Sequence, residues 1–105
     1  MPAVASYENF DLDALYHLIL DRQKNPRPGS YTNFLLTAGT DEISKKVGEE
    51  AIEIILAVKG QGRQRIIEEI ADLTYHLLTL MVDQGLTPDD IMHELSARHS
   101  STADE

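Results

Sequence analysis

Two short acidic runs, Glu49-Glu50-Ala51-Ile52-Glu53 and Glu69-Ile70-Ala71-Asp72, carry the chemistry most open to this chain, and both lie among apolar residues at helical spacing. At about 100° per residue, Glu49 and Glu53 stand about 40° apart around a helix axis and Glu50 and Glu53 about 60°, so all three share a face. Glu69 and Asp72 form the same kind of i, i+3 pair. Helices pack about 8–10 Å apart, a gap that opposed glutamates can close onto a cation. Converging carboxylates repel one another, and Mg²⁺ relieves that repulsion while keeping positions for water and phosphate oxygens. The expectation is a Mg²⁺ site made of Glu49, Glu50, Glu53, Glu69 and Asp72 that serves phosphate chemistry.

Acidic residues also decorate ordinary exposed helix faces. Against that reading, no lysine follows Glu49, Glu50 or Glu53 at i+4, a like-charge set costs stability, and a matching acidic pair recurs on the next helix. Lys45 and Lys46 precede the acids by about one turn, either as solvated partners of Glu42 and Glu49 or facing a phosphate. His76 follows Asp72 by one turn, as a packing residue or as a hydrogen-bond partner of a ligand or carboxylate. His17, His93 and His99 are more weakly placed.

The elements that must position these groups are helical. Leu12, Leu15, Tyr16, Leu18 and Ile19 give an amphipathic helix from about Asp11 to Arg22, entered through Asn9 or Asp11. Asn25-Pro26-Arg27-Pro28-Gly29-Ser30 breaks it and leaves Lys24, Arg27, Ser30 and Tyr31 on a connecting segment. Thr32 to Ala38 reads as a short helical piece ending at Gly39. Thr40 is a candidate N-cap for a helix to Lys59, with Ile43, Val47, Ala51, Ile54, Ile55 and Val58 as its apolar stripe. Gly60-Gln61-Gly62 ends that helix and implies an antiparallel partner from Arg63 to Gln84, with Ile66, Ile67, Ile70, Leu73, Leu77, Leu78 and Met81 as core positions. Arg65, Glu69, Asp72 and His76 fall on one side of it. Thr87-Pro88-Asp89-Asp90 opens a last helix, and residues from Ser100 onward read as frayed.

No strand alternation or internal repeat occurs, so the expected fold is an all-α antiparallel bundle of four main helices. The 105 residues, 42% of them apolar, fit a single domain with an ordered core from about 9 to 99. A chain this short buries only about two-thirds of its unfolded surface, and Ile52 and Leu56 lie off the central stripe. Both points favour a homodimer or higher homo-oligomer formed through the bundle. Eighteen acids against nine Lys and Arg, a net charge of −9, argue against a nucleic-acid or anionic membrane partner. The absence of cysteine, of a leader-like N-terminus and of any apolar run near the roughly 18 residues of a bilayer span makes a soluble cytoplasmic protein the expectation.

With the acidic pairs located, the chain resembles the all-α nucleoside-triphosphate pyrophosphohydrolases (the MazG-like fold), whose signature is E-E-x-x-E followed by E-x-x-D on the next helix. Three further stretches narrow the likeness: Ser30-Tyr31-Thr32-Asn33-Phe34-Leu35-Leu36, Lys45-Lys46-Val47-Gly48 before the acids, and Leu73-Thr74-Tyr75-His76 after them. With Glu94-Leu95-Ser96-Ala97-Arg98-His99, they resemble the phosphoribosyl-ATP pyrophosphohydrolase family of histidine biosynthesis over about Leu12 to His99. One departure is the short acidic tail 100–105, where members often carry a Gly-containing basic one. The cyclohydrolase domain of bifunctional relatives does not precede this sequence, so a single reaction is expected.

The resemblance implies hydrolysis of 1-(5-phosphoribosyl)-ATP to 1-(5-phosphoribosyl)-AMP and pyrophosphate. The five carboxylates would hold Mg²⁺, which neutralises the triphosphate and activates a water. Glu50 or Glu53 would act as general base, Lys46 with Lys45 would bind phosphate, Lys24, Arg27, Ser30 and Tyr31 would reach the ribosyl phosphate, and His76 would also bind the substrate. Two other expectations compete: a house-cleaning pyrophosphatase acting on nucleoside triphosphates, separated by a substrate panel, and a non-catalytic helical dimerisation module, for which Mg²⁺ would not raise thermal stability.

Overall fold

The computed structural model describes residues 9–101, and among them every regular element is helical. Helix α1 (Leu12–Lys24) starts where Asp11 accepts a hydrogen bond from the Ala14 N–H at 2.8 Å, so Asp11, not Asn9, is its cap. It buries Tyr16 and Ile19 and stops ahead of Pro26. The loop that follows is fastened by one side chain. Asn33 accepts from the Arg27 N–H at 2.7 Å and donates to the Arg22 carbonyl, also at 2.7 Å.

Helix α2 (Tyr31–Ala38) is capped by Ser30, whose hydroxyl accepts from the Asn33 N–H at 3.1 Å. Tyr31 is therefore the first residue of a helix and not part of the connecting loop. Gly39, at φ +101°, separates α2 from helix α3 (Thr40–Val58). The expected N-cap role of Thr40 is not observed. Gly39 holds the cap position in a conformation that side-chain-bearing residues rarely adopt, and the Thr40 hydroxyl instead donates to Asp83 at 2.7 Å.

Helix α4 (Arg63–Gln84) has the bounds its sequence predicts. Its end is a Schellman motif: Gly85 turns left-handed at φ +71°, the Leu86 N–H reaches the Met81 carbonyl at 2.8 Å, and the Gly85 N–H reaches Val82 at 3.2 Å. Helices α3 and α4 pack antiparallel, with Thr40 beside Asp83 at one end and Glu50 beside His76 farther along. Helix α5 (Pro88–Ser101) opens on a capping box: Thr87 accepts from the Asp90 N–H at 3.2 Å and Asp90 accepts from the Thr87 N–H at 2.8 Å.

The core joins α1 to α4 through Tyr16, Ile19, Leu78 and Val82, with Leu15, Leu20, Leu36, Tyr75 and Met81 packed around them. The Tyr16 hydroxyl donates to the Leu86 carbonyl at 2.7 Å, which ties α1 to the turn after α4. Leu35, Ile43, Ala57 and Thr79 are fully buried. The expected stripes are only half covered. Ile43 is buried and Val47 and Ile54 are partly buried, whereas Ala51, Ile55, Val58, Ile67, Ile70 and Leu77 are exposed. Ile52 and Leu56 are exposed as well, and so is every residue of α5 from Asp89 to His99. Residues 102–105, most of the acidic tail, lie outside the described residues.

Candidate active site at the face shared by α3 and α4

Glu69, Asp72 and His76 follow one another at i, i+3 and i+7 on α4, which places all three toward the middle of α3, where Glu50 stands. One carboxylate oxygen each from Glu50, Glu69 and Asp72 can be chosen so that all lie within 4.8 Å of one another. Glu69 is buried, Glu50 partly buried and Asp72 exposed, so the cluster opens to solvent on the Asp72 side. Oxygen donors at this spacing suit a hard divalent cation, and no cysteine or imidazole is needed to complete the set.

Two of the three carboxylates, Glu50 and Glu69, have side-chain partners. His76 Nδ1 lies 2.7 Å from Glu50 Oε1 and 2.8 Å from the Asp72 carbonyl. Arg65, one turn before Glu69, donates to both Glu69 and Glu68. Burial is the main cause that pushes the Glu50 carboxyl above its ordinary range; His76 and Lys46 pull it down, and Asp72 and Glu69 push it further up.

Glu49 and Glu53 stand outside this cluster. Glu49 is exposed and pairs with Lys46 at 3.6 Å; Glu53 is exposed, one turn beyond Glu50, with no ion-pair partner among the described residues. Lys45 pairs with Glu42 at 3.4 Å. Lys46 has a second address besides Glu49, because its charge acts on both Glu50 and the Tyr31 hydroxyl.

The loop before α2 and α2 itself line an open cleft of about 650 Å³, through Arg27, Gly29, Ser30, Tyr31, Asn33, Phe34, Thr37 and Ala38. Three of the four expected substrate-loop residues, Arg27, Ser30 and Tyr31, belong to it; Lys24, at the end of α1, is exposed and does not line it. Tyr31 connects cleft and carboxylates. Its hydroxyl lies 3.1 Å from His76 Nε2, its ring stacks on Phe34 at 6.1 Å and on Tyr75 at 6.2 Å, and burial raises its pKa above that of a free tyrosine.

Sequence reasoning did not give Phe34, Tyr75, Thr32 and Arg65 roles at the site. Arg65 carried a usable signal, since it shares a helix face with Glu69. Thr32 and Tyr75, hydrogen-bonded through their hydroxyls, are 43 residues apart, and no local pattern marks such a pair.

Comparison with known proteins places these residues in a family. The sequence profile described as phosphoribosyl-ATP pyrophosphohydrolase matches residues 12–99. Curated proteins named phosphoribosyl-ATP pyrophosphatase align along most of their length. The one from Limosilactobacillus fermentum is 50% identical over 94 residues, covering 90% of this chain and 89% of the relative. That from Lacticaseibacillus casei is 53% identical over 87 residues (83% and 79%), and that from Sulfurisphaera tokodaii is 52% identical over 87 residues (83% and 93%). The matched segment contains all five carboxylates, both lysines and the Tyr31–His76 pair, and the chain belongs to the phosphoribosyl-ATP pyrophosphohydrolase family.

Proposed function

We propose that this protein hydrolyses 1-(5-phosphoribosyl)-ATP to 1-(5-phosphoribosyl)-AMP and pyrophosphate, the second step of histidine biosynthesis, with Mg²⁺ as cofactor and in the cytoplasm. The observation that carries the reading is the convergence of Glu50, Glu69 and Asp72 beside Lys46, in a chain of this family. Glu50, Glu69 and Asp72 would hold the cation, with the exposed Glu49 as a further oxygen donor. When bound, Mg²⁺ supplies charge neutralisation for a triphosphate and makes a water more acidic.

The chain's own residues divide the remaining work. Lys46 can leave Glu49 for a phosphate oxygen, since an exposed ion pair of this kind is worth only about 0–1 kcal/mol. Its ammonium then meets the charge that develops on the phosphates in the transition state. Glu53, exposed and without an ion-pair partner among the described residues, is the better placed of the two candidate bases, because Glu50 is committed to the cluster and to His76. Arg27 and Ser30 in the cleft suit the ribosyl phosphate, and the stacked rings of Tyr31 and Phe34 offer a flat apolar surface to a sugar or base.

The exposed apolar residues of α3 and α4, including Ile52, Ile55, Leu56, Ile67 and Ile70, favour a homodimer formed across that face. No helix among the described residues is long and apolar enough to cross a membrane. Product analysis tests the activity: phosphoribosyl-ATP with Mg²⁺ should yield pyrophosphate and phosphoribosyl-AMP in equal amounts. Faster turnover of ATP or dUTP would instead assign the protein to nucleotide-pool cleaning.

A further inference from the structure

His76 is a buried polar side chain, 6% exposed, whose ring makes three contacts that no single helix supplies. Nδ1 faces two acceptors, the Glu50 carboxylate at 2.7 Å and the Asp72 carbonyl at 2.8 Å, so in the neutral ring these partners assign the hydrogen to Nδ1. Nε2 is then an acceptor, and the Tyr31 hydroxyl at 3.1 Å donates to it. The Tyr31 ring is in turn restrained by Tyr75, which stacks on it, meets His76 edge-on at 5.1 Å and is hydrogen-bonded to Thr32. Three helices thus meet at one imidazole: α2 through Tyr31, α3 through Glu50, and α4 through His76 itself.

We propose that His76 is a positioning residue that fixes Glu50 in its cation-binding orientation, and that Tyr31 couples this orientation to the substrate cleft by holding the His76 ring from the other side. The inference rests on the reading of Glu50 as a metal ligand. It replaces the expectation that His76 touches the substrate, because both ring nitrogens are already engaged with protein. A carboxylate ligand held by a hydrogen bond from its far side loses less freedom when the cation binds, and such supporting partners change metal affinity about 10- to 100-fold. Tyr31 lines the cleft with one edge and bonds His76 with its hydroxyl, so a ligand that shifts the tyrosine ring also moves the group that orients Glu50.

Mn²⁺ titration of the protein, followed by the EPR signal of the free ion, gives a readout independent of turnover. His76→Gln, whose amide reaches the Nε2 side and leaves Glu50 without its donor, should weaken Mn²⁺ binding about 10-fold or more. His76→Asn, whose amide nitrogen falls near the Nδ1 position, should restore most of that loss. If His76 acts through Glu50, adding His76→Gln to Glu50→Gln should weaken binding little beyond Glu50→Gln alone, whereas a general structural defect would make the two losses add. Tyr31→Phe should weaken Mn²⁺ binding only a few-fold and lower kcat more than it raises KM. Circular dichroism confirms that each variant is folded, and His76→Asn serves as the folded control if His76→Gln is not. Unchanged affinity in folded His76→Gln, or additive losses in the double variant, overturns the proposal. Failure of the wild-type protein to bind Mn²⁺, or Glu50→Gln binding as tightly as wild type, would overturn the metal-site reading beneath it instead.

Discussion

Arg65 donates to the carboxylate of Glu69 from one helical turn away, and this ion pair neutralises a buried member of the acidic cluster. Glu68 shares the same guanidinium and holds it above its ordinary range. A divalent cation bound at the cluster would compete with Arg65 for Glu69. Arg65→Gln should therefore lower the melting temperature of the metal-free protein and tighten Mn²⁺ binding several-fold. Calorimetric titration of both proteins checks it; weaker binding by the variant would make Arg65 a supporter of the site and not a competitor.

The raised pKa of Glu50 has a pH consequence in the metal-free protein. A carboxyl whose folded-state pKa exceeds its unfolded value binds more protons when folded, so its contribution to stability is full at acidic pH. That contribution is lost as pH rises through the folded pKa. Glu50→Gln keeps an acceptor for His76 and removes the charge. By analogy with like-charge neighbours on a helix, it should stabilise the metal-free protein by about 0.2–0.5 kcal/mol per like-charged neighbour near neutral pH and change little at acidic pH. Thermal melts at the two pH values, with chelator present, decide this. A melting temperature lowered by the substitution at neutral pH would contradict it.

Asn33 closes the loop between α1 and α2 with two hydrogen bonds, to the Arg27 N–H and the Arg22 carbonyl. Asn33→Ala removes both and should cost about 1–2 kcal/mol. Because Arg27 lines the cleft, KM for the substrate should rise while Mn²⁺ affinity stays the same. A thermal melt together with steady-state kinetics separates the two effects, and a loss of Mn²⁺ affinity would show that the loop supports the carboxylates as well.

The exposed apolar faces of α3 and α4 give a prediction for assembly. Wild-type protein should elute with the mass of at least a dimer, and Ile55→Lys should shift it toward the monomer by placing a charge on an apolar face. Light scattering coupled to size exclusion measures the mass; a monomeric wild-type protein would remove the dimer from the account.

The parts of the fold that the sequence made legible are those set by local chemistry. The bounds of α4 follow from Gly62 and Gly85, the α5 capping box is written in Thr87 and Asp90, and the break after α1 is written in its prolines. Thr40 misled because a cap residue must itself have a non-helical backbone, a place that Gly39 takes, and Asp83, 43 residues away, takes the Thr40 hydroxyl. The site divides along the same line. Spacing along α4 put Glu69, Asp72 and His76 on one side, but selecting Glu50 over Glu49 and Glu53 required the register of α3 against α4. The apolar stripes overstated burial because periodicity marks which face avoids water without showing what covers it. Ile55 and Val58 keep the spacing of core residues and are exposed in the single chain.

The central claim is that Glu50, Glu69 and Asp72 together hold the divalent cation on which turnover depends. Crystals grown or soaked with Mn²⁺ and measured for anomalous scattering address it directly. The account predicts an anomalous peak about 2.0–2.3 Å from an oxygen of each of these three carboxylates, with Arg65 displaced from the Glu69 oxygen that binds the ion. A peak that contacts only Glu49 and Glu53, or no peak within the α3–α4 face, would contradict it.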